Sequence, residues 1–374
     1  MELTEEQTAV RDVVREYARD EIRPATLEAD SEQEFPEAVW DGLADLDLTG
    51  LTVPQKYGGY DADPVTAAVV NEEVAYGMLA VATALSVHSL ATSCLAEFGS
   101  EEQQERWLPD MAEGRPVGAF ALSEPHAGSN PAEMTTEARR EGDEYVIDGE
   151  KQWITNGERA GVYILFAKTD RDDPSTVTQF LVPGDVDGLT VGEKEDKLGL
   201  RASDTTSLTF DGARIPAENR LTEEGSGLSA AFHILTGGRI AIAAQSVGLA
   251  QCAFDEARSY SQERDQFGGP IGDIQTIRHK LAEMATRIRA ARLLTRDAAR
   301  KRAAGGAALE ASMAKYFASE TAMFAANEAV QIHGGYGYVT EGEVERLYRD
   351  AKITEIYEGT TEIQKQVIAR ELLE

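Results

Sequence analysis

Tyr145-Val146-Ile147-Asp148-Gly149, followed by Lys151-Gln152-Trp153-Ile154-Thr155, is the stretch on which the fold turns. Its β-branched and aromatic residues and its Asp-Gly dipeptide read as a strand, a turn at Asp148-Gly149 and a return strand over 151–155. Val162 to Ala167, Val177 to Val182 and Ser207 to Phe210 are further short runs of this kind, separated by Asp172-Asp173-Pro174, Pro183-Gly184 and Asp211-Gly212. Residues 118 to 222 are therefore expected to form a middle β domain, a small barrel or sandwich.

The flanks follow a helical period. Thr4 and Gln7 have capping-box spacing ahead of Val10, Val13, Val14 and Tyr17, a helix that Pro24 is expected to stop. Phe35-Pro36 opens a second helix through Val39, Trp40, Leu43 and Leu46, and another runs from Glu101 to Met111. Between Glu73 and Glu97 no residue carries a formal charge, a length that raises the question of a membrane span. Gly77, Thr83, Ser86, His88, Ser89, Thr92 and Ser93 interrupt it too often, so the expectation is a buried helix and no membrane span. After Gly225 the helical period returns, with alanine-rich runs from Ile274 to Ala304 and Ala308 to His333 separated by Gly305-Gly306. The expected class is α+β: an N-terminal helical domain over 1–117, the β domain over 118–222, and a C-terminal helical bundle over 223–374. Gly225-Ser226-Gly227-Leu228-Ser229-Ala230 matches a dinucleotide fingerprint in letters, but no strand precedes it, and it reads as a flexible interdomain joint.

Composition narrows the function. A formal charge of -30 and a pI near 4.5 disfavour nucleic acid and anionic lipid as partners. Cys94 and Cys252 lie in apolar helical runs and read as buried thiols in a reducing cytosol. Met1-Glu2-Leu3-Thr4-Glu5-Glu6 lacks a basic or apolar leader, so the expected location is cytoplasmic. His88, His126, His233, His279 and His333 have no metal-ligand spacing, and no metal is expected.

Several segments have the composition of a site. Glu358, between Tyr357 and Gly359 and just ahead of a helix, is either a positioned base or a charge favouring a helix N-terminus. Thr361-Glu362-Ile363-Gln364 has capping-box spacing, placing that helix start at Thr360 or Thr361. Phe120 to Asn130 is an apolar strand running into a small-residue loop, where N–H groups near Gly128 and Ser129 could hold ligand oxygens. Trp153 and Thr155 share a strand face, either as a platform for a flat cofactor or as core. Arg264-Asp265-Gln266-Phe267-Gly268 and Gln331-Ile332-His333-Gly334-Gly335-Tyr336-Gly337 are polar breaks at helix ends, serving as anion contacts or as C-caps.

Taken in order along the chain, these segments resemble the acyl-CoA dehydrogenase family. The resemblance rests on Ser123-Glu124-Pro125 with Ala127-Gly128-Ser129, Trp153 to Gly157, Lys197 to Ser203, Gly238-Arg239, Arg264 to Gly268, Gln331 to Gly335, and Tyr357 to Thr360. It implies a four-helix C-terminal bundle and FAD held between that bundle and the β domain. Phe120, Leu122, Ser123, Gly128, Ser129, Trp153, Ile154 and Thr155 would contact this FAD, as would Thr360 and Glu362. Arg264, Gln266, Phe267, Ile274 and Gln275, with Gln331, Ile332, His333, Gly334 and Gly335, complete the implied cofactor set. Of these, Arg264, Gln266 and the 331–335 turn would reach FAD across an interface in a homo-oligomer, usually a tetramer. Ser129, Thr236, Arg239 and Gly359 would contact the acyl-CoA substrate.

Glu358 would take the pro-R α-proton while hydride leaves the β-carbon for the flavin, giving a trans-2-enoyl-CoA. Electron-transferring flavoprotein would be the acceptor, and the uncharged helix near Val81 to Leu95 would line the acyl cavity. Four positions depart from the family pattern: Thr236 where many relatives have Asp, Glu362 for a frequent Gln, and His126 with Asn130 in the flavin loop. An acyl-CoA oxidase, a nitroalkane oxidase or monooxygenase relative, and a DNA-protecting flavoprotein share the scaffold. The last needs a basic face that this composition does not supply.

An acidic, arginine-preferring surface also suits a salt-rich cytoplasm, because screening removes self-repulsion. Unfolding free energy should therefore rise from low salt to molar KCl, as followed by denaturant titration. A flat or falling dependence would contradict that reading.

Overall fold

The computed structural model describes residues 2–373. The N-terminal unit contains α1 (Glu5–Tyr17), α2 (Arg23–Glu32), α3 (Glu37–Asp45), α4 (Pro64–Gly77), α5 (Leu79–Phe98) and α6 (Glu101–Ala112). The Thr4–Gln7 capping box forms with both of its hydrogen bonds. Pro24 does not stop the helical run. A π-helical segment over Ala18–Ile22 links α1 to α2, and Pro24 sits in the first turn of α2, where no helical N–H is required of it. The uncharged stretch is two helices rather than one, since Met78 is extended between α4 and α5.

The middle unit is one seven-stranded sheet: β1 (Val117–Ala121), β2 (Glu137–Glu141), β3 (Glu144–Thr155), β4 (Ala160–Lys168), β5 (Val177–Pro183), β6 (Leu189–Val191) and β7 (Thr205–Pro216). The order is β1-β4-β2-β3-β7-β6, with β5 on β4. The hairpin expected at Asp148-Gly149 is absent. β3 runs straight through it with a bulge against β7, and the reversal lies instead between Glu141 and Glu144. Gly149 is needed for closeness: a Cβ there would lie 2.6 Å from Thr136 Oγ1. The Asp148 carboxylate accepts the Gly212 N–H of β7, so the dipeptide stitches strands together instead of turning the chain.

The C-terminal unit has α7 (Gly227–Glu263), a small hairpin of β8 (Asp265–Gln266) and β9 (Gly269–Pro270), then α8 (Gln275–Ala303), α9 (Ala308–His333), α10 (Glu343–Ala351) and α11 (Thr361–Leu373). The joint before α7 is packed rather than loose. Gly225 N–H donates to Thr178 Oγ1, and a Cβ on Gly227 would press on the β5 backbone at 2.8 Å from Val177 O. Gly238 and Arg239 fall inside α7.

α5 belongs to all three units. Its residues 79–85 pack in the helical core with α4 and α7, while Leu90, Ala91, Cys94 and Leu95 pack against Val162, Ile164 and Phe166 of β4 and Ile234 of α7. His88 pins α6 and β1 to it. Its Nδ1 accepts the Gly118 N–H at 2.9 Å, and its Nε2 donates to Met111 O at 3.0 Å. Burial holds this ring neutral, with its pKa pushed down to about 4.

The loop after β1 is fixed to β3 by a buried ion pair, Lys151 Nζ to Glu124 Oε1 at 2.9 Å. Glu124 also accepts the Thr135 and Thr136 N–H groups at 2.7 and 2.9 Å. Burial alone would raise this carboxyl, but the ammonium and the N–H donors outweigh it and hold it down at about 2. Lys151→Met strands that carboxylate, so a loss of about 3–5 kcal/mol in unfolding free energy is expected. Unchanged denaturant midpoints would mean that the N–H donors suffice.

Candidate active site

The loop between α10 and α11 carries two consecutive residues in the left-handed region, Glu358 at φ 55° and Gly359 at φ 86°. For a non-glycine residue that conformation costs about 1–2 kcal/mol, so neighbouring groups must hold it. Lys315 Nζ, fully buried on α9, donates to Gly359 O at 2.7 Å. Gln364 Nε2 donates to both Gly359 O at 2.9 Å and Glu358 O at 3.1 Å. The expected capping box does not form here, because Gln364 turns its amide to these carbonyls while Thr360 Oγ1 caps α11 through the Ile363 N–H.

Tyr357 anchors the other side of the loop. Its hydroxyl lies 3.4 Å from Thr83 Oγ1 and 3.4 Å from Gln245 Oε1, and Gln245 in turn donates to Asn71 Oδ1 and Ala82 O. One residue along α5, Ala84 O accepts Asn156 Nδ2 from the end of β3. A single turn of α5 therefore ties the Trp153 strand to the Glu358 loop.

The carboxylate itself is left unpaired. Glu358 Oε2 is buried with no hydrogen-bond partner. Burial raises its pKa to about 7, with Arg239 and Lys315 opposing the rise. Space for it is supplied by Gly238: a Cβ there would stand 2.7 Å from Oε2 and 3.4 Å from Leu90 Cδ2. Arg239, next along α7, is buried with Nε unpartnered. The Glu358 N–H has no acceptor among the described residues.

Near the C-terminal end of β3, Trp153 sits in a bulge at φ 63° and is 59% exposed, so it is not a core residue. Thr155 is half-buried beyond it, while Ile154 is buried in the sheet core and offers an outside ligand only its backbone. In the loop after β1, Gly128 and Ser129 are exposed and Ser123 is half-buried. Leu122 is buried, and Phe120 rests on Phe166 with ring centroids 4.8 Å apart.

A second cluster lies at the far ends of α7 and α9. Arg264, Gln266, His333, Gly334, Gly335 and Tyr336 line an open groove of about 600 Å³. His333 stacks on Tyr260 at 4.2 Å, and burial lowers its pKa, keeping it neutral. Phe267 is 96% exposed beside it. Gln331 is exposed, whereas Ile332 belongs to the helical core. Ile274 caps α8 with its side chain against that core, and Gln275 is exposed. Lys315 and His333 are 18 residues apart on α9, about 27 Å at 1.5 Å per residue. One chain thus keeps this groove well away from its own Glu358.

Three more of the residues implied by the resemblance have local contacts of their own. The Thr236 hydroxyl is committed to Phe232 O one turn back on α7, a back-bond common to helical threonines, so it is not free to donate to a substrate. Glu362 is exposed on the first turn of α11, and Thr360 is engaged as its cap. Lys315 is not among the residues the sequence points to, and Gln364 is there only as a capping-box partner. The available signal was a lone lysine on the face of α9 formed by Ala311, Ala314, Ala318 and Ala322, all buried.

A helical–β–helical scaffold thus carries an exposed indole on a bulged strand and a buried carboxylate oxygen without a hydrogen-bond partner. Comparison with known proteins gives the family. Residues 4–115, 119–213 and 225–373 match the N-terminal, middle and C-terminal domains of acyl-CoA dehydrogenase. An acyl-CoA dehydrogenase of Bacillus subtilis (strain 168) is 46% identical over all of this chain and 99% of its own. The mitochondrial short-chain specific acyl-CoA dehydrogenase of Rattus norvegicus is 43% identical over all of this chain and 91% of its own. Butyryl-CoA dehydrogenase from Megasphaera elsdenii superposes with a TM-score of 0.97 at 39% identity, covering the whole of both chains. The chain belongs to the acyl-CoA dehydrogenase family and is an FAD-dependent oxidoreductase.

Gly238→Ala would push a methyl group into the space of the carboxylate. A displacement on the 1 Å scale costs about 100-fold in turnover. That loss is expected in dye-reduction assays with FAD content unchanged, and unaltered turnover would show that Glu358 does not need this gap.

Proposed function

We propose that this enzyme dehydrogenates a short-chain acyl-CoA at the α,β position, with Glu358 as the base. The observation that carries the proposal is the buried, partnerless Glu358 Oε2, poised at about 7 in the gap left by Gly238. A base is most effective with its pKa near the working pH, and ordinary carboxylates are too weak to attack a thioester α-hydrogen in water. Short-chain and butyryl specificity in the relatives supports the substrate class.

Trp153, Thr155 and the 120–129 loop suit FAD, because the indole is exposed and no atom lies within 4 Å of where a Gly128 Cβ would stand. FAD bound there would supply the two-electron acceptor for hydride leaving the β-carbon. The protein's part is to place and polarise the substrate. The free Glu358 N–H donates to the thioester carbonyl and stabilises the enolate-like charge that develops as the α-proton leaves. That proton goes to Glu358 Oε2, and the acyl chain excludes water from the gap beside Leu90. Loss of the α-proton and the β-hydride leaves a trans-2-enoyl-CoA.

The Arg264–His333 groove serves the FAD of a neighbouring subunit, since by helix length it lies about 27 Å along α9 from Lys315, which holds the Glu358-Gly359 turn of its own chain. This favours a homo-oligomer, a tetramer by resemblance to the family. Electron-transferring flavoprotein is the proposed acceptor and the cytoplasm the proposed location.

Glu358→Gln should keep FAD bound and slow anaerobic flavin bleaching by butyryl-CoA by at least about 100-fold. Normal bleaching in that variant would remove Glu358 from the reaction. Rapid reoxidation of the reduced wild-type enzyme by air would favour the oxidase reading.

A further inference from the structure

Lys315 is fully buried on α9, within a face of alanines, and the sheltered location is costly for an ammonium group. Among the described residues its one hydrogen bond is to Gly359 O at 2.7 Å. That carbonyl belongs to the residue after Glu358, the second of the left-handed pair. Gln364 donates to the same oxygen at 2.9 Å, and the Glu358 carbonyl receives Gln364 as well. With both carbonyls held from the α9 and α11 side, the Glu358 N–H and carboxylate are left for the opposite side, where Gly238 makes room.

We propose that Lys315 is a positioning residue for the reaction: its ammonium clamps the Glu358-Gly359 turn from behind and sets a positive charge beside the base. Burial lowers the Lys315 pKa to about 8, so this charge is present through the acid limb below that pH. The inference rests on Glu358 being the base. Two consequences follow from one group. The charge-assisted hydrogen bond holds a strained turn that aims both the carboxylate and the adjacent N–H. The same charge offsets part of the burial that pushes the Glu358 carboxyl upward. The other charged groups in this field are Arg239 on α7, Glu355 in the turn before the loop, and Glu362 on α11. Arg239 acts in the same direction on Glu358, so removing Lys315 weakens the ionised base without abolishing it.

The sign is fixed by the chemistry. Glu358 accepts a proton only when ionised, so turnover rises with pH through its pKa. Loss of the Lys315 charge raises that pKa and moves the acid limb to higher pH. The test compares Lys315→Met and Lys315→Arg with wild type and Glu358→Gln, all as FAD-loaded protein. Infrared pH-difference spectra follow the C=O stretch of the protonated carboxyl that Glu358→Gln removes, which reads the titration without any turnover. Flavin reduction by butyryl-CoA gives kcat and KM in parallel.

Lys315→Met should move the Glu358 titration and the acid limb of kcat upward together by about half a pH unit or more. At neutral pH kcat should fall about 10-fold or more with KM changed less than about 3-fold, the pattern for an interaction spent on the transition state. Lys315→Arg should restore most of the titration. If Lys315→Met loses its flavin, Lys315→Gln, which keeps an N–H donor without the charge, carries the same infrared readout. An unshifted titration, with kcat per bound flavin at the wild-type level, would overturn the proposal even if thermal stability dropped. Full activity in Glu358→Gln would instead overturn the assignment of the base, a separate outcome.

Discussion

The rest of the site depends on one strained turn. Glu358 and Gly359 both take the left-handed conformation, and the cost of placing a glutamate there is met by hydrogen bonds from Lys315 and Gln364 to their carbonyls. Turning the carbonyls toward α9 and α11 leaves the carboxylate and an N–H for the other side. A helical or extended Glu358 would not offer both to one side. The burial that raises the carboxyl toward neutrality is a further result of this placement, since the loop lies between α5, α7 and α9 and Glu358 Oε2 finds no donor there.

The larger architecture brings other elements to this turn. α5 is the shared member: Thr83 faces Tyr357 of the Glu358 loop, Ala84 receives Asn156 from the Trp153 strand, and His88 fixes α6 and β1. Two links from adjacent residues of one helix thus set the indole and the carboxylate relative to each other. The Glu124–Lys151 pair does the same for the loop after β1, joining it to the strand that carries Trp153. These contacts are polar and buried, and each is satisfied by several partners, as a low-dielectric interior demands. The unpaired Glu358 oxygen stands out against them.

Much of this was legible in the sequence. Period-two runs between helical flanks gave the order of the three units, and Gly305-Gly306 marked the break between α8 and α9. Errors came where a local signal served a long-range purpose. Asp148-Gly149 has hairpin chemistry, yet Thr136 and Gly212 use it to stitch a bulged strand. Pro24 has a helix-stopping signature, but a π-helical segment places it in a new first turn. Thr361 to Gln364 has capping-box spacing, and the Glu358 and Gly359 carbonyls took the glutamine amide instead. The alanines of α9 identify a buried face but not which carbonyl its lysine meets, because that contact spans 44 residues. Likewise, neither Gly238 nor Glu358 alone discloses that one is the space for the other.

The central claim is that Glu358 moves the α-proton. It is tested most directly with a substrate on which proton removal is separated from oxidation, such as methylthioacetyl-CoA, whose β position is sulfur and carries no hydride to transfer. In deuterium oxide the wild-type holoenzyme should exchange one α-hydrogen of this thioester, as followed by proton NMR, and Glu358→Gln with equal FAD content should leave it unexchanged. Exchange at the wild-type rate in Glu358→Gln would contradict the account.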